Sequence, residues 1–166
     1  MILKKPLFLI TFLMLFTMPF NLAVAKKLTD EQIEFNTLKS LAEKGDPEAQ
    51  YNLGNLYVSG RGVEQDDKQA VAWYRKSVTK GFTKAQLNLG NMYALGRGVK
   101  QNYSLAVEWY EKAAKQGDSQ AQHNLGIMYE KGQGVTQDLD MAKEYFGQAC
   151  DSGELLGCQN FRRLSK

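Results

Sequence analysis

One segment of the 166-residue chain carries a known nucleophile pattern, residues 77–80, S-V-T-K. It matches S-x-x-K, in which the serine is the nucleophile of penicillin-recognising enzymes. Those enzymes also carry S-D-N and K-T-G, and neither motif occurs in this sequence. Ser77 takes the place that Ala113 and Ala149 hold in two similar segments, on an apolar helix face. We therefore interpret Ser77 as a packing residue and predict no catalytic residue and no enzyme activity.

The transition-metal ligands of the chain are few. His123 is the one histidine, and Cys150 and Cys158 are the two cysteines. A zinc site takes three or four such ligands, and no pair of carboxylates or thiolates near His123 completes one. His123 replaces Tyr51 and Leu87 of the similar segments, so we expect it at the surface, as neither base nor ligand. The sequence predicts no metal and no cofactor.

Glycines and aromatic residues recur in patterns that could bind phosphates or bases. Glycines that cradle a phosphate follow a strand, whereas the three G-x-G triplets here follow helical patterns. The triplets begin at Gly60, Gly96 and Gly132. The aromatic pairs at 73–74, 109–110 and 145–146 lie at the spacing of core residues. We interpret both sets as structural.

All of these candidates lie in a sequence that repeats every 36 residues. The copies begin at Ala49, Ala85 and Ala121 without insertion or deletion, and half the positions of the first two are identical. A fixed period of about 20 to 50 residues is typical of a solenoid, in which each unit packs only on its neighbours. We predict an all-α fold in which each unit is a pair of helices.

The second copy illustrates how one unit is built. Leu89 and Met92 belong to one apolar stripe at helical spacing. Gly96 suits the left-handed cap that ends this first helix, and Asn102 is a good N-cap for the second helix. Gly90 lies beside the stripe and costs about 1 kcal/mol against alanine. Its recurrence in each copy predicts that a neighbouring helix comes close there.

The ends of the chain differ from the repeated part. Residues 1–25 have Lys4 and Lys5 before an apolar run and A-V-A at 23–25, which predicts a cleavable signal peptide. An uncleaved anchor is the alternative, but the run of about 14 residues is shorter than the roughly 20 that span a membrane. Cleavage lowers the formal charge from +3 to +1, which argues against nucleic-acid binding. The domain is predicted at 26–166, with a capping helix at 30–45, repeats at 46–81, 82–117 and 118–153, and a C-terminal helix at 154–164.

The repeated 36-residue segment resembles the Sel1-like repeat, a relative of the tetratricopeptide repeat. The matching pattern is AQxNLGxxYxxGxGVxQ, followed by an alanine, an aromatic pair, small residues and a glycine, between Asn36 and Phe161. The resemblance implies a right-handed α-solenoid of antiparallel helix pairs with terminal capping helices. It also implies a concave face lined by the first helices and a role as an adaptor or interaction module.

The two cysteines are predicted to form a disulfide. Cys150 lies near the end of a second helix and Cys158 at the start of the following first helix, with a turn at Gly153 between them. An exported chain meets an oxidising compartment. Two buried thiols are the alternative. The pair is also similar to those of the secreted cysteine-rich branch of the Sel1-repeat family, where such pairs recur in most units.

The side of each first helix that faces away from the apolar stripe carries repeated asparagines. An amide side chain both donates to and accepts from a peptide backbone, so this side suits an extended peptide. The alternative is that the asparagines bond only within their own scaffold. The predicted partner-binding residues are Tyr51, Asn52, Asn55, Leu87, Asn88, Asn91, His123, Asn124 and Ile127.

Two functions of different classes remain. The first is an exported interaction or scaffold module, periplasmic or secreted and monomeric, that binds a protein or an extended peptide on its concave face. It keeps no stable membrane anchor after cleavage. The second is a small periplasmic hydrolase of β-lactam or cell-wall type, a role to which some secreted Sel1-like proteins are linked. We favour the first, because no nucleophile–base pair can be assembled from the sequence.

Overall fold

The computed structural model describes residues 28–166, and every regular element within them is an α-helix. The predicted signal peptide, residues 1–25, lies outside the described residues. The helices are α1 (Asp30–Glu43), α2 (Pro47–Ser59), α3 (Asp67–Val78), α4 (Thr83–Leu95), α5 (Tyr103–Ala114), α6 (Ser119–Lys131), α7 (Leu139–Asp151) and α8 (Leu155–Leu164). The all-α prediction is therefore confirmed for this part of the chain.

The helices stack in the order in which they occur in the sequence. Each one packs mainly against the helix before it and the helix after it. The pairs α2–α3, α4–α5 and α6–α7 form three units, each with a first and a second helix. α1 flanks the first unit as a lone second helix, and α8 follows the third as a lone first helix. Contacts of this nearest-neighbour kind define an α-solenoid.

Side-chain caps set the start of most helices. Thr29 and Gln32 form the predicted capping box at α1. Asp46 accepts from Ala49 N at α2, where Pro47 fills the first helical position. The other capping side chains are Asp66, Asn102, Asp118, Asp138 and Glu154. Each such cap satisfies a backbone N–H that the helix itself leaves free.

The repeated glycines have two different structural reasons. A Cβ on Gly90 would lie 2.5 Å from the ring of Tyr110, so this position makes room for the aromatic side chain of the second helix. Gly98 has a φ of 68° and lies against the backbone of Asp67 in the preceding second helix. The close approach predicted from Gly90 is confirmed, since both the Tyr110 ring and the backbone oxygen of Ala106 in α5 lie next to it.

A single leucine and a single aromatic ring form the centre of each unit. Leu53, Leu89 and Leu125 are fully buried on the first helices, and Tyr74 and Phe146 are almost fully buried on the second. Burying such side chains stabilises the fold by about 1.5 to 3 kcal/mol each. The prediction that the aromatic pairs are packing residues holds for these rings.

The disulfide between Cys150 and Cys158 links the third unit to α8. The two Cα atoms lie 4.4 Å apart across the turn at Gly153, which has a φ of 89°. The pairing predicted from the sequence is confirmed. It attaches α8 covalently to the helix before it.

Candidate binding groove

Three pockets lie in a row along the first helices. Their volumes are about 550, 270 and 210 Å³. Asn55 lines both the first and the second pocket, and Asn91 and Leu95 line both the second and the third. The three pockets are therefore parts of one continuous surface, which we call the amide groove. It is lined by Asn52, Asn55, Asn88, Asn91, Leu95, Asn124 and Ile127.

A buried tyrosine joins two of these asparagines across the first pair of units. The Tyr74 hydroxyl donates to Asn55 Oδ1 at 2.7 Å. Asn88 Nδ2, from the next unit, donates to the same oxygen at 3.1 Å and to the Tyr74 hydroxyl at 3.2 Å. Burial raises the pKa of Tyr74 to about 12, so its hydroxyl stays protonated and remains a donor.

The second pair of units repeats this network. The Tyr110 hydroxyl donates to Asn91 Oδ1 at 2.8 Å, and Asn124 Nδ2 donates to the same oxygen at 3.3 Å. Burial also raises the pKa of Tyr110 well above its ordinary value of 10.0. Each network connects two successive first helices through the tyrosine of the second helix between them.

The amides use only one of their two ends in these networks. Within residues 28–166, Asn55 Nδ2 and Asn91 Nδ2 donate to no protein group, and Asn88 Oδ1 and Asn124 Oδ1 accept from none. All four side chains are partly exposed. In chain order the free groups therefore alternate between donor and acceptor. The amides brace the scaffold, and the same amides still present hydrogen-bonding groups to the groove.

The third unit lacks this network and places His123 in an unexpected environment. Ile127 and Phe146 stand where the other units have an asparagine and a tyrosine. His123 is only 8% exposed, lies 5.5 Å from the Phe146 ring and has its Nε2 3.0 Å from Asn160 Nδ2. The surface position expected for His123 is wrong, because its ring turns inward to fill the space between α7 and α8. Burial lowers its pKa, an effect that Glu154 partly opposes.

Two further predicted binding residues face away from the groove. Leu87 is 7% exposed and belongs to the core of the second and third units. Tyr51 packs on Tyr74 and Phe82, with ring centroids 6.1 and 5.3 Å apart. Both occupy the helix position of His123, which points toward the following unit. The other six predicted residues line the pockets, while their binding role stays a prediction.

The list of predicted binding residues left out two residues that the structure places in the groove. Leu95 is 66% exposed in the middle of it. Arg97 lines the same pocket and makes two hydrogen bonds to the Asp67 carboxylate, at 3.0 and 2.7 Å. Helical spacing already places Leu95 on the same side of its helix as Asn88 and Asn91, although Leu95 is not among the predicted binding residues. Arg97 lies in the turn, where no periodicity indicates direction.

The residues that suggested enzyme chemistry are placed as structure. Ser77 is fully buried, and its Oγ donates to Pro47 O at 2.7 Å, which agrees with its interpretation as a packing residue. In the described part of the chain, no three His, Cys, Asp or Glu side chains gather closely enough to hold a metal ion. None of the helices between residues 28 and 166 has both the length and the apolar character of a membrane span.

Solved structures similar to this chain are also repeat proteins. A Sel1 repeat protein from Oxalobacter formigenes has a TM-score of 0.76 and 33% identity, over 80% of this chain and 54% of that one. A protective antigen of uropathogenic Escherichia coli with an SLR fold has a TM-score of 0.62 and 34% identity, over 75% and 34%. This chain thus spans about half and about a third of their lengths. Among curated proteins, none matches the chain.

A third similar structure contains the cysteine-rich protein B of Helicobacter pylori. It has a TM-score of 0.63 at 22% identity, over 77% of this chain and 95% of that one, and it supports the fold alone. The Sel1 repeat family model matches residues 47–82, 83–118 and 119–154, each range one residue later than the predicted unit. Three consecutive matches cover most of the described residues, and the chain belongs to the Sel1 repeat family.

Proposed function

We propose that this protein binds an extended segment of a protein partner in the amide groove. Sel1 repeat proteins generally mediate protein–protein interactions. The observation that carries the proposal is the row of free amide groups, in which donors and acceptors alternate along a continuous surface. A peptide backbone presents the same alternation of N–H and C=O groups, so it can pair with successive amides of the row.

Leu95 supplies the apolar part of the same surface. Its side chain is 66% exposed between two amide networks, in contact with the second and the third pocket. An apolar side chain of the bound segment would remove Leu95 from water, which stabilises a complex by about 25 cal/mol for each Å² buried. The amides then fix the path of the backbone, and Leu95 favours segments with an apolar residue at the centre.

The proposed place of action is outside the cytoplasm, in the periplasm or after secretion. Disulfides persist in oxidising compartments and are rare in the cytosol. The Cys150–Cys158 bond therefore supports the export that the predicted signal peptide also indicates. The hydrolase alternative has no support in the site, because Ser77 is buried and bonded to backbone.

Selection from a phage-displayed library of random peptides tests the groove. The full gene is expressed, and the protein is purified as the cell processes it and used as bait. We expect enriched peptides with a central apolar residue, and we expect Leu95→Glu to weaken their binding at least tenfold, or about 1.4 kcal/mol. Calorimetry with one synthetic peptide measures the change. The melting temperature should stay nearly constant, because exposed substitutions usually change stability by less than about 0.5 kcal/mol.

A matched control tests whether the loss of binding comes from the groove or from the removal of any exposed leucine. Leu139 is 52% exposed on α7 and lines none of the three pockets. Leu139→Glu makes the same chemical change away from the groove and should leave binding intact. Peptides that bind both variants equally well would show that the groove is not the binding surface.

A further inference from the structure

The two ends of the solenoid carry the two halves of one unit. α1 is a second helix, with Leu38 at the place of Tyr74, and α8 is a first helix, with Gly157 at the place of Ala121. Among residues 28–166, no first helix covers the outer side of α1 and no second helix covers that of α8. Within these residues, each end therefore lacks the kind of helix that the other end has.

We propose that a second copy of this chain docks head to tail, with α8 of one copy packing on α1 of the next to complete a fourth unit. This association adds to partner binding in the amide groove and does not depend on it. It replaces the monomer expected from the sequence. We infer the contacts of the joint from those inside the three complete units, by shifting each residue number by a multiple of 36.

The closest contact inside each unit has a matched counterpart at the ends. A Cβ on Gly54, Gly90 or Gly126 would lie 2.5 Å from the ring of Tyr74, Tyr110 or Phe146 respectively. At the ends, Arg162 takes the glycine place and Leu38 the aromatic place. A larger side chain on α8 thus meets a smaller one on α1. Because Leu38 has no ring at this place, the clash that a Cβ on the glycine would meet inside the units does not arise in the same form.

The charges at the same contact are also complementary. The Cβ position of Gly90 lies 3.3 Å from Ala106 O, so the residue at the place of Ala106 is a neighbour. In α1 that place is held by Glu34, whose carboxylate already pairs with Arg61 of the same chain and would also face Arg162. Around them, α1 exposes the acidic Asp30 and Glu31, and α8 ends in exposed basic residues. Opposite charges of this kind favour one orientation of docking.

Exposed leucines argue against ends that only face water. Ser77 Oγ donates to Pro47 O, which places these two positions in contact inside a unit. The corresponding residues at the ends are Leu41 and Leu155, and their side chains are 44% and 76% exposed. Terminal repeats that serve only as caps present a polar outer face. Two leucines that the period brings together instead predict an apolar contact in the joint.

The joint would also extend the amide groove. The largest of the three pockets lies between α1 and α2 and is lined by Glu34 and Leu38 on one side and Asn52 on the other. In a longer solenoid, the first helix of a preceding unit would pack beside this pocket. With α8 there, Asn160 of one copy would continue the asparagine row ahead of Asn52 of the next. Because the two contacting surfaces differ, the association is heterologous and can continue into longer chains.

Sedimentation velocity of the full protein, purified as the cell processes it, tests this joint over a wide concentration range. We expect the average mass to rise above that of one chain as concentration increases. Arg162→Glu and Glu34→Arg should each weaken association about tenfold or more, because each places like charges in contact. The double variant carrying both changes restores opposite charges and should recover most of the association. This rescue is expected only if these two residues meet.

Variants blocked at one end establish the head-to-tail arrangement. Leu155→Asp leaves the α1 end intact, and Leu41→Asp leaves the α8 end intact. Each alone should stay a single chain, whereas their mixture should form two-chain complexes and stop there. Leu139→Asp, on the surface outside the joint, is the control and should associate like the unmodified protein. A single-chain mass at every concentration, or association that the charge exchange does not restore, would refute the joint.

Discussion

Within one chain, the joints between the first and second units and between the second and third units differ in chemistry from the last joint, between the third unit and α8. Across the first two, a buried tyrosine hydroxyl and two asparagines form a polar network. In the third unit, Ile127 and Phe146 replace the asparagine and the tyrosine together. In each unit, the tyrosine hydroxyl and the asparagine that accepts from it therefore either both occur or are both missing. A buried hydroxyl without an acceptor costs about 1 to 3 kcal/mol, which explains why neither changes alone.

The two lone helices, α1 and α8, are also attached to the units in different ways. Gln50 Nε2 donates to Ala42 O at 3.0 Å, which attaches α2 to the end of α1. One hundred and eight residues later, three periods of 36, these two positions are Cys158 and Cys150, and the hydrogen bond is replaced by the disulfide. Within residues 28–166, α8 packs against one neighbouring helix, as α1 does at the other end. A covalent bond compensates at α8 for the packing that interior helices receive on both sides.

The largest effect should come from removing this disulfide. Cys150→Ser with Cys158→Ser opens a loop of eight residues, and we expect a loss of about 2.5 kcal/mol. The loss should concentrate in α8, because solenoid units depend on their nearest neighbours. Hydrogen exchange measures it as faster exchange in α8 with little change in α4.

Thiol titration provides the companion measurement. The protein, purified as the cell processes it and denatured without reduction, should show no free thiol. Two titratable thiols per chain would contradict the disulfide. Equal loss of protection in α4 and α8 would contradict the idea that the bond serves only the last joint.

A smaller loss of stability should come from replacing the asparagine and tyrosine of the second unit by the isoleucine and phenylalanine found in the third. Asn91→Ile leaves the buried Tyr110 hydroxyl without its acceptor and should cost about 2 kcal/mol. Tyr110→Phe should cost about 1 kcal/mol. The double variant recreates the pair found in the third unit, so its cost should fall below the sum by about 1 kcal/mol. Denaturant unfolding of the four proteins measures the coupling.

The reverse conversion supplies the control. Phe146→Tyr places a hydroxyl against Ile127, and Ile127→Asn should recover part of the lost stability by accepting from it. Costs that simply add in both units would show that the two residues act independently and that the comparison between the joints is wrong.

Periodicity predicted the scaffold because a solenoid repeats its local contacts. The helix caps, the glycine turns and the disulfide all follow from residues close in sequence, and each was recognisable from its place in the period. Periodicity failed at Tyr51, Leu87 and His123, which share one position on the first helices. That position lies at the boundary between the groove and the next unit, and helical spacing alone does not tell which side it faces.

The asparagines show a second limit of sequence reasoning. Bracing and binding were treated as alternatives, but an amide has two ends, and the structure uses one of them in the scaffold. In each network the tyrosine lies on another helix: Tyr74 is 14 residues before Asn88, and Tyr110 is 14 residues before Asn124. Only the folded arrangement shows that the three residues form one network.

The smallest effect should be a pH dependence confined to the last joint. Asn160 Nδ2 lies 3.0 Å from His123 Nε2, so the ring accepts this hydrogen bond in its neutral form. Burial lowers the pKa of His123 below its ordinary value of 6.5, with Glu154 acting in the opposite direction. As pH falls below 6.5, the unfolded chain therefore binds a proton before the folded chain does. Protons then favour unfolding, and stability falls until the folded-state pKa is passed.

His123→Leu isolates this contribution, because Leu87 is buried at the same position of the preceding unit. Between pH 7 and about pH 5.5, where most carboxylates remain ionised, the unmodified protein should lose more stability than the variant. Melting curves across this range measure the difference, and hydrogen exchange should place it in α6 and α8. The amide networks of the first two joints contain no group that titrates there, so α2 and α4 should not respond. Parallel pH profiles for the two proteins would mean that His123 is protonated alike in both states and that the last joint is no more sensitive to acid than the others.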